Sequence, residues 1–279
     1  MTDDPAVAAK PAVPAVLRAV RLLEAVADAP DGMTLSALAR TVNAPKSSCL
    51  AVCTTLVDTG LLVRTGTGRY QLGLKVVQLG RAYLARSDLA TEFRRTDEEL
   101  GLLPDDTIVL SVLHGNEVTY VDTRHGKRPV AVHYSIGMRL PAHCTASGKA
   151  LLAALPPEEV AQRYTDDHLE TLTGHSISSA AELTAELEQV RARRYAVDDE
   201  ETALGMICFG AAVLDRSGHP AGALSVSMVK AAVDVDRAAT ATRSILQLAQ
   251  ALTVRLGGRP WDLPVIDSMH AITAPRSPS

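Results

Sequence analysis

The fold of the N-terminal part of this chain can be predicted from the stretch Thr34–Leu72, TLSALARTVNAPKSSCLAVCTTLVDTGLLVRTGTGRYQL. Thr34 is a good helix N-cap, and the apolar spacing after it predicts a short helix over Leu35–Val42. The Asn43–Pro45 segment is typical of a tight turn. A further helix is predicted from Lys46 to Thr59, so that two helices are joined by a turn.

The elements predicted on either side of these two helices complete a known structural motif. Gly60 is placed to end the second helix. Two short apolar runs, Leu61–Arg64 and Arg69–Leu72, surround a glycine-containing turn and predict a β-hairpin. Upstream, apolar residues at three- and four-residue spacing predict a helix that begins near Val16 and stops before Pro30. Three helices followed by a hairpin is the order of a winged helix-turn-helix.

The remainder of the chain predicts a different kind of unit. A helix over 74–85 follows the hairpin, and further helices are predicted over 88–102, 145–155, 182–193 and 237–256. Strands are predicted over 107–113, 117–122, 127–133, 195–197, 207–215 and 221–228, several of them separated by hairpin turns. Hairpins rather than strict strand-helix alternation indicate an α+β fold with an antiparallel sheet.

Composition and charge narrow the function classes. The chain has 279 residues, of which 47% are hydrophobic and 22% charged, so a substantial core can be buried. Residues 1–86 carry ten lysines and arginines against six acids, whereas the rest carries 18 against 26. A mildly basic head on an acidic body fits a nucleic-acid-binding head. Aromatic residues make up only 3%, which argues against single-strand binding by base stacking.

Cysteine usage and hydropathy indicate where in the cell the protein is expected. The chain has four cysteines, Cys49, Cys53, Cys144 and Cys208, and no CxxC pair, which fits reduced thiols rather than a disulfide framework. We see no signal-peptide pattern and no run of 18 apolar residues. A cytoplasmic protein without a membrane partner or a cofactor is therefore expected.

DNA contacts are predicted where a helix-turn-helix meets a duplex. The second helix of such a motif enters the major groove with its N-terminal end nearest the bases. Helix N-termini also attract phosphates. The candidates for binding double-stranded DNA are Arg18, Arg40, Lys46, Ser47, Ser48, Thr54 and, on the hairpin, Arg64 and Arg69.

The chain resembles the IclR family of bacterial transcriptional regulators. In the head, the resemblance rests on VLRAV at 16–20, LSALA at 35–39, PKSS at 45–48 and RYQLG at 69–73. In the body, it rests on GMRLPAHCTASGKA at 137–150 and YAVDDEE at 195–201. The recognition helix departs from the family pattern at Leu50 and Ala51, where polar or basic residues are frequent. The small Ala51 could accept a thymine methyl group.

The resemblance implies a ligand-responsive regulator, most simply a repressor, that is not an enzyme. It implies a winged-helix head, a linker helix and an effector domain similar to GAF domains. It also implies a homodimer, or a dimer of dimers, on palindromic operator DNA. The expected division is a disordered segment (1–12), the DNA-binding domain (13–73), the linker helix (74–87), the effector domain (88–257) and a loose tail (258–279).

An effector site follows from the same resemblance. The backbone amides of Ala146 and Ser147, at a helix start, would hold effector oxygens, which agrees with the free N–H groups of a helix N-terminus. The other candidates are Val132, His133, Asp198, Met206, Cys208, Ser225 and Ser227. Asp198 would repel a carboxylate unless it is protonated. The expected effector is a small organic acid or a hydroxylated or aromatic relative.

Three alternatives stay open at this stage. Cys144 beside His143 could be the nucleophile of a hydrolase, although no catalytic signature surrounds the pair. His133, His143, Cys144 and Cys208 could converge on zinc in a metal-binding sensor, although their spacing is not that of a zinc motif. A module for protein contacts alone is the third alternative.

Overall fold

The computed structural model describes residues 13–86, 88–128 and 134–259. The chain divides after Arg86 into two compact units. The finer division into a linker helix and terminal segments stays a prediction. Within the described residues, no helix combines the length and the apolar character needed to cross a bilayer.

The N-terminal unit has the predicted helix-turn-helix and hairpin. Its helices are α1 (Pro14–Ala27), α2 (Leu35–Thr41), α3 (Lys46–Asp58) and α4 (Leu74–Arg86), and its strands are β1 (Met33–Thr34), β2 (Leu62–Arg64) and β3 (Arg69–Leu72). The sheet is antiparallel in the order β1-β3-β2. The two-residue β1 was not predicted, because so short a strand has no alternation to detect. The winged helix-turn-helix prediction is confirmed.

Local chemistry explains how α2, α3 and the hairpin begin and end. The Thr34 hydroxyl accepts a hydrogen bond from the Ala37 amide at 3.3 Å and so caps α2. Gly60 adopts a φ of +76° after α3, which favours glycine. A Cβ atom at Gly73 would lie only 2.1 Å from the Gly60 carbonyl oxygen. Two glycines therefore hold the end of α3 against the start of α4.

The C-terminal unit is built on an antiparallel sheet whose described strands run in the order β6-β5-β4-β9-β8-β7. Its strands are β4 (Thr107–His114), β5 (Glu117–Arg124), β6 (Arg139–Pro141), β7 (Ala196–Asp199), β8 (Met206–Leu214) and β9 (Pro220–Val229). Its helices are α5 (Asp88–Leu100), α6 (Ala146–Ala154), α7 (Pro157–Arg163), α8 (Ala180–Arg193) and α9 (Val235–Arg255). This confirms the predicted α+β class.

The sheet is covered on both faces. Helices α6 and α8 pack on one face over a core that includes Val109, Ala196 and Ala223. The opposite face meets α5, since Leu89 of that helix lies against Gly222, and α9 packs beside α5. Residues that alternate along each strand therefore belong to two different layers.

Two elements of the C-terminal unit were not predicted. Helix α7 begins at Pro157 and was not predicted, although proline favours the first helical turn. Strand β6 has three residues and a proline, so no pattern indicated it. The strand predicted over 127–133 lies mostly outside the described residues, and Lys127 and Arg128 are not in a strand.

Candidate functional site

The outward face of α3 is the first candidate site. Cys49, Cys53 and Leu56 turn into the core of the N-terminal unit. The residues that alternate with them are exposed, namely Lys46, Ser47, Leu50, Ala51, Thr54 and Thr55. The Thr54 hydroxyl donates to the Leu50 carbonyl at 2.9 Å, so its oxygen can still accept a hydrogen bond. The face thus combines one cation and hydroxyls with small or aliphatic groups.

The other predicted DNA-contacting residues differ in how exposed they are. Arg40 and Arg64 are exposed, whereas Arg18 and Ser48 are half-buried. Arg64 lies over the Tyr70 ring, 5.9 Å from its centroid. Arg69 is exposed but its Nη1 donates to the Gly32 carbonyl at 2.8 Å, which ties the hairpin to the loop before β1. One of its nitrogens is therefore engaged within the unit.

A buried polar row crosses the sheet beneath α6. Strand register places Asp198 beside Cys208, Cys208 beside Ser227, and Ser227 beside Thr107. Residues paired in this way point to the same face of an antiparallel sheet. All four are buried. Three of the predicted effector residues thus lie side by side. The strand register that brings them together cannot be predicted from local sequence.

Two further predicted effector residues lie on the same strands as this row. Ser225 pairs with Gly210, one step along the same face, and Met206 lies two residues before Cys208 on β8. Both Ser225 and Met206 are buried. Val132 and His133 lie outside the described residues.

The carboxylate of Asp198 accepts hydrogen bonds from its own loop. Its Oδ1 accepts from the Glu201 amide at 2.8 Å and the Thr202 amide at 3.2 Å, and its Oδ2 accepts from the Thr202 hydroxyl at 2.5 Å. Burial raises the pKa of Asp198, and the Thr202 hydrogen bond and the charge of Lys149 oppose that rise. The carboxyl group therefore shapes the β7–β8 loop.

Two tyrosines extend the row and were not anticipated. The Cys208 thiol donates to the Ser227 hydroxyl at 3.4 Å, and the Tyr134 hydroxyl lies within hydrogen-bonding reach of both. Tyr120 packs against Tyr134 with ring centroids 5.7 Å apart. Burial raises the pKa of the Cys208 thiol and of both phenols, so these groups are neutral hydrogen-bonding groups.

The start of α6 lies directly on the sheet at Gly210. A Cβ atom there would lie 2.6 Å from the Ala146 carbonyl oxygen and 2.8 Å from the Ser147 nitrogen. Thr145 caps the helix by accepting from the Gly148 amide at 2.9 Å. The amides of Ala146 and Ser147 belong to the first turn, which helix geometry leaves without intrahelical partners. The predicted oxygen-binding amides are thus beside Ser225 and the polar row.

A buried cation supports this arrangement and was also missed. Lys149, on α6, is fully buried and forms ion pairs with Glu201 and, at 3.9 Å, with Glu186. Glu186 in turn pairs with Arg193 at 2.6 Å. Since the Glu201 amide binds Asp198, this network joins α6, α8 and the β7–β8 loop.

The geometry near Cys144 disfavours the hydrolase and zinc alternatives. His143 Nε2 contacts the Glu170 carbonyl oxygen at 2.8 Å, and the Cys144 thiol donates to the same oxygen at 3.7 Å. Burial raises the pKa of Cys144 to about 11, whereas a nucleophilic cysteine needs a lowered value. In the described part of the chain, no three His, Cys, Asp or Glu side chains form a group that could hold a metal.

Comparison with known proteins identifies the same two parts. A model of the IclR helix-turn-helix domain matches residues 15–66, and a model of the C-terminal domain of bacterial IclR transcriptional regulators matches residues 81–254.

Individual relatives span nearly the whole chain. The probable transcriptional regulator SauR of Cupriavidus necator is 31% identical and covers 80% of this chain and 89% of its own length. The transcriptional repressor IclR of Escherichia coli is 29% identical, with coverages of 91% and 95%. The solved structure of Thermotoga maritima IclR is 26% identical, has a TM-score of 0.69 and covers 87% of this chain and 98% of its own. These relatives are regulators rather than enzymes. The chain belongs to the IclR family of bacterial transcriptional regulators, with an N-terminal helix-turn-helix DNA-binding domain and a C-terminal effector domain.

Proposed function

We propose that this protein is a cytoplasmic, homodimeric repressor that inserts α3 into the major groove of a palindromic operator. The observation that carries the proposal is the outward face of α3, where Lys46 stands exposed at the helix start with Ser47, Ala51 and Thr54 along the same side. Lys46 binds phosphate or guanine, and Ala51 packs on a thymine methyl. Arg40 and Arg64 neutralise flanking phosphates.

An apolar stripe supports self-association of the heads. Val13, just before α1, and Val16, Leu17 and Val20 on it recur at helical spacing. Each is about half exposed or more, while Leu22 and Val26 pack in the core. A contiguous apolar stripe on a soluble head is typical of an interface. A dimer would present two copies of α3 to two half-sites about one DNA turn apart.

The effector proposal rests on the buried polar row, which together with Ser225 and the two tyrosines beside it is called the effector row below. The ligand is a small organic acid, or a hydroxylated or aromatic relative, that binds the amides of Ala146 and Ser147 and the hydroxyls of Ser225 and Ser227. Its binding favours one arrangement of the C-terminal unit, and α4, the last helix of the N-terminal unit in chain order, passes that preference to the spacing of the two heads. Effector binding thereby changes operator affinity.

Replacement of Lys46 tests the DNA-binding surface. A motif selected from a random-sequence duplex library serves as the operator. Lys46→Ala is expected to weaken operator binding about tenfold and to reduce the slope of log K against log salt by about one, because one phosphate contact is lost. Fluorescence anisotropy at several salt concentrations measures both quantities.

The matched control is Lys127→Ala, which removes an exposed lysine from the C-terminal unit. Its operator affinity and salt slope should equal those of the wild type. If Lys46→Ala binds as tightly as Lys127→Ala with the same slope, α3 is not the recognition helix.

A further inference from the structure

An apolar groove lies at one end of the C-terminal unit, between the last turns of α6 and α8 and the end of β8. The residues that line it include Ala154, Val190, Ala212, Leu214, Arg191 and Arg194. None of its described lining residues is acidic, and none belongs to the predicted effector site. The groove therefore combines apolar walls with positive charge.

The groove exists because β8 is longer than its neighbour β7. Strand β7 pairs with Ile207–Gly210, whereas β8 continues along β9 as far as Leu214. Before β7, the chain leaves α8 at Arg194, whose φ of +67° ends the helix. Among the described strands, the last residues of β8 thus pair on one side only, and Ala212 and Leu214 are half-buried.

Two arginines give the groove its charge. Arg194 is exposed, and the half-buried Arg191 donates through Nε to the Ala153 carbonyl at 3.0 Å. Neither forms an ion pair with a described residue, whereas their neighbour Arg193 pairs with Glu186 at 2.6 Å. Uncompensated cations beside a groove attract an acidic partner.

The end of the described chain lies beside this groove. A Cβ atom at Gly258 would lie 2.6 Å from the Leu214 carbonyl oxygen, and the Leu214 amide donates to the Thr253 hydroxyl of α9 at 3.0 Å. Leu214 is also one of the residues that line the groove. Trp261 follows Gly258 by three residues. Three residues span about 10 Å when extended, so the groove is within reach of Trp261.

The segment 261–266 is chemically complementary to the groove. Its sequence, WDLPVI, contains four large apolar residues, one of which is the only tryptophan of the chain. Asp262 follows that tryptophan, and Asp267 follows the segment. The match to the IclR C-terminal domain ends at residue 254, so the segment lies beyond it. Apolar residues accompanied by acids suit an apolar groove beside two arginines.

We propose that the segment 261–266 docks into this groove on its own chain, with the Trp261 indole against the apolar walls and Asp262 beside Arg194. The groove has a volume of about 70 Å³, which is space for about five water molecules and thus for one large side chain. The short connection keeps the segment at a high effective concentration. Docking braces α6, whose first turn carries the proposed effector amides, but it requires neither DNA nor effector.

Tryptophan fluorescence of the full-length protein tests the proposal, since Trp261 is the only source of the signal. Burial of one large apolar side chain favours docking about tenfold. The acrylamide quenching constant should therefore be roughly fivefold lower than that of a synthetic peptide of residues 258–279. The emission maximum should also lie at a shorter wavelength than that of the peptide.

Charge exchange locates the docked segment. Arg194→Glu replaces an exposed side chain and should raise the quenching constant about threefold, because an attractive surface ion pair is lost and a repulsion takes its place. Asp262→Arg should do the same, and the two changes together should restore the wild-type value. Arg243→Glu, at an exposed position of α9 outside the groove, is the matched control and should leave the quenching constant unchanged.

Ala154→Glu tests the apolar walls. Ala154 is half-buried at the end of α6, so a glutamate there places a carboxylate in the groove. The quenching constant should rise to that of the peptide. The charge exchange at Arg194 does not depend on how well this variant folds.

Three results would each overturn the proposal. The first is quenching as fast as in the peptide, which would mean that the tail is loose at Trp261. The second is slow quenching that neither Arg194→Glu nor Ala154→Glu changes, which would place the indole elsewhere. The third is protection that is lost on dilution to monomers, which would assign the groove to the tail of a second copy.

Discussion

Asp198 shows how a site residue can be found by sequence while its role is set by its surroundings. The resemblance pointed to this position, and the structure places it in the polar row. Its oxygens nevertheless accept from Glu201 and Thr202 of its own loop, so the carboxyl group holds the wall of the site. A raised pKa at a fully buried carboxyl group makes stability depend on pH.

Asp198→Asn tests that assignment. Because the folded protein holds the Asp198 proton more tightly than the unfolded chain, wild-type stability falls as pH rises from the ordinary value near 3.8 through the raised one. Asparagine does not titrate. Across that window, the free energy of unfolding of the variant should therefore rise relative to that of the wild type, by up to about 1.4 kcal/mol per pH unit. Urea unfolding between pH 4 and 8 measures the difference.

Asp215→Asn is the matched control for this experiment. Hydrogen bonds from Ser217 lower the pKa of the half-buried Asp215, so its contribution to stability is lost as pH falls. Because that loss occurs below about pH 3.8, the difference between the control and the wild type should stay nearly constant between pH 4 and 8. A difference between wild type and Asp198→Asn that stays constant with pH, or that reverses direction, would contradict the assignment.

Several residues of the effector row could not be found from sequence. Lys149 looks like a surface lysine until α6, α8 and the β7–β8 loop enclose it with Glu201 and Glu186. Tyr134 reaches Ser227 from a segment distant in sequence, and only the tertiary fold brings them together. Gly210 is required because a helix start lies against it, which no local pattern records.

At the scale of elements, periodic sequence patterns predicted helices and hairpins correctly, whereas short elements were not predicted. Helices with long apolar stripes, such as α1 and α9, and hairpins with glycine turns lie close to where the sequence predicts them. Strands β1 and β6 depend on pairing with neighbours, and α7 on a proline that starts rather than ends a helix. Local propensity dominates the first group, and tertiary contact dominates the second.

The α1 stripe carries the prediction that belongs to this scale. Leu17→Glu should raise the dimer dissociation constant at least 100-fold (roughly 3 kcal/mol), because a carboxylate would be buried without a partner in an apolar interface. Sedimentation equilibrium over a range of concentrations measures the constant. Since Leu17 is about half exposed in the described unit, the variant should keep its helical circular dichroism.

Ser36→Glu places the same charge at an exposed position of α2 and serves as the control. It should dimerise like the wild type. If Leu17→Glu and the wild type have the same dissociation constant, the stripe has another role and the heads associate elsewhere.

At the scale of the whole molecule, two chemically different units serve one regulator. The N-terminal unit presents an exposed helix face with a cation at its start, whereas the C-terminal unit buries its polar row beneath α6. Family membership establishes that one domain binds DNA and the other serves an effector. Coupling between them is the central claim of the proposed mechanism, and typical coupling free energies of about 1–3 kcal/mol correspond to 5- to 150-fold changes in affinity.

The most direct test of that claim is operator affinity measured by anisotropy with and without a saturating small acid that thermal-shift screening has identified. We expect the acid to change the operator dissociation constant of the wild type at least fivefold. Ser227→Ala should bind the operator normally but need a much higher ligand concentration for the same change. If the acid saturates the wild-type protein and operator affinity stays the same, the two units do not communicate and the proposed mechanism is wrong.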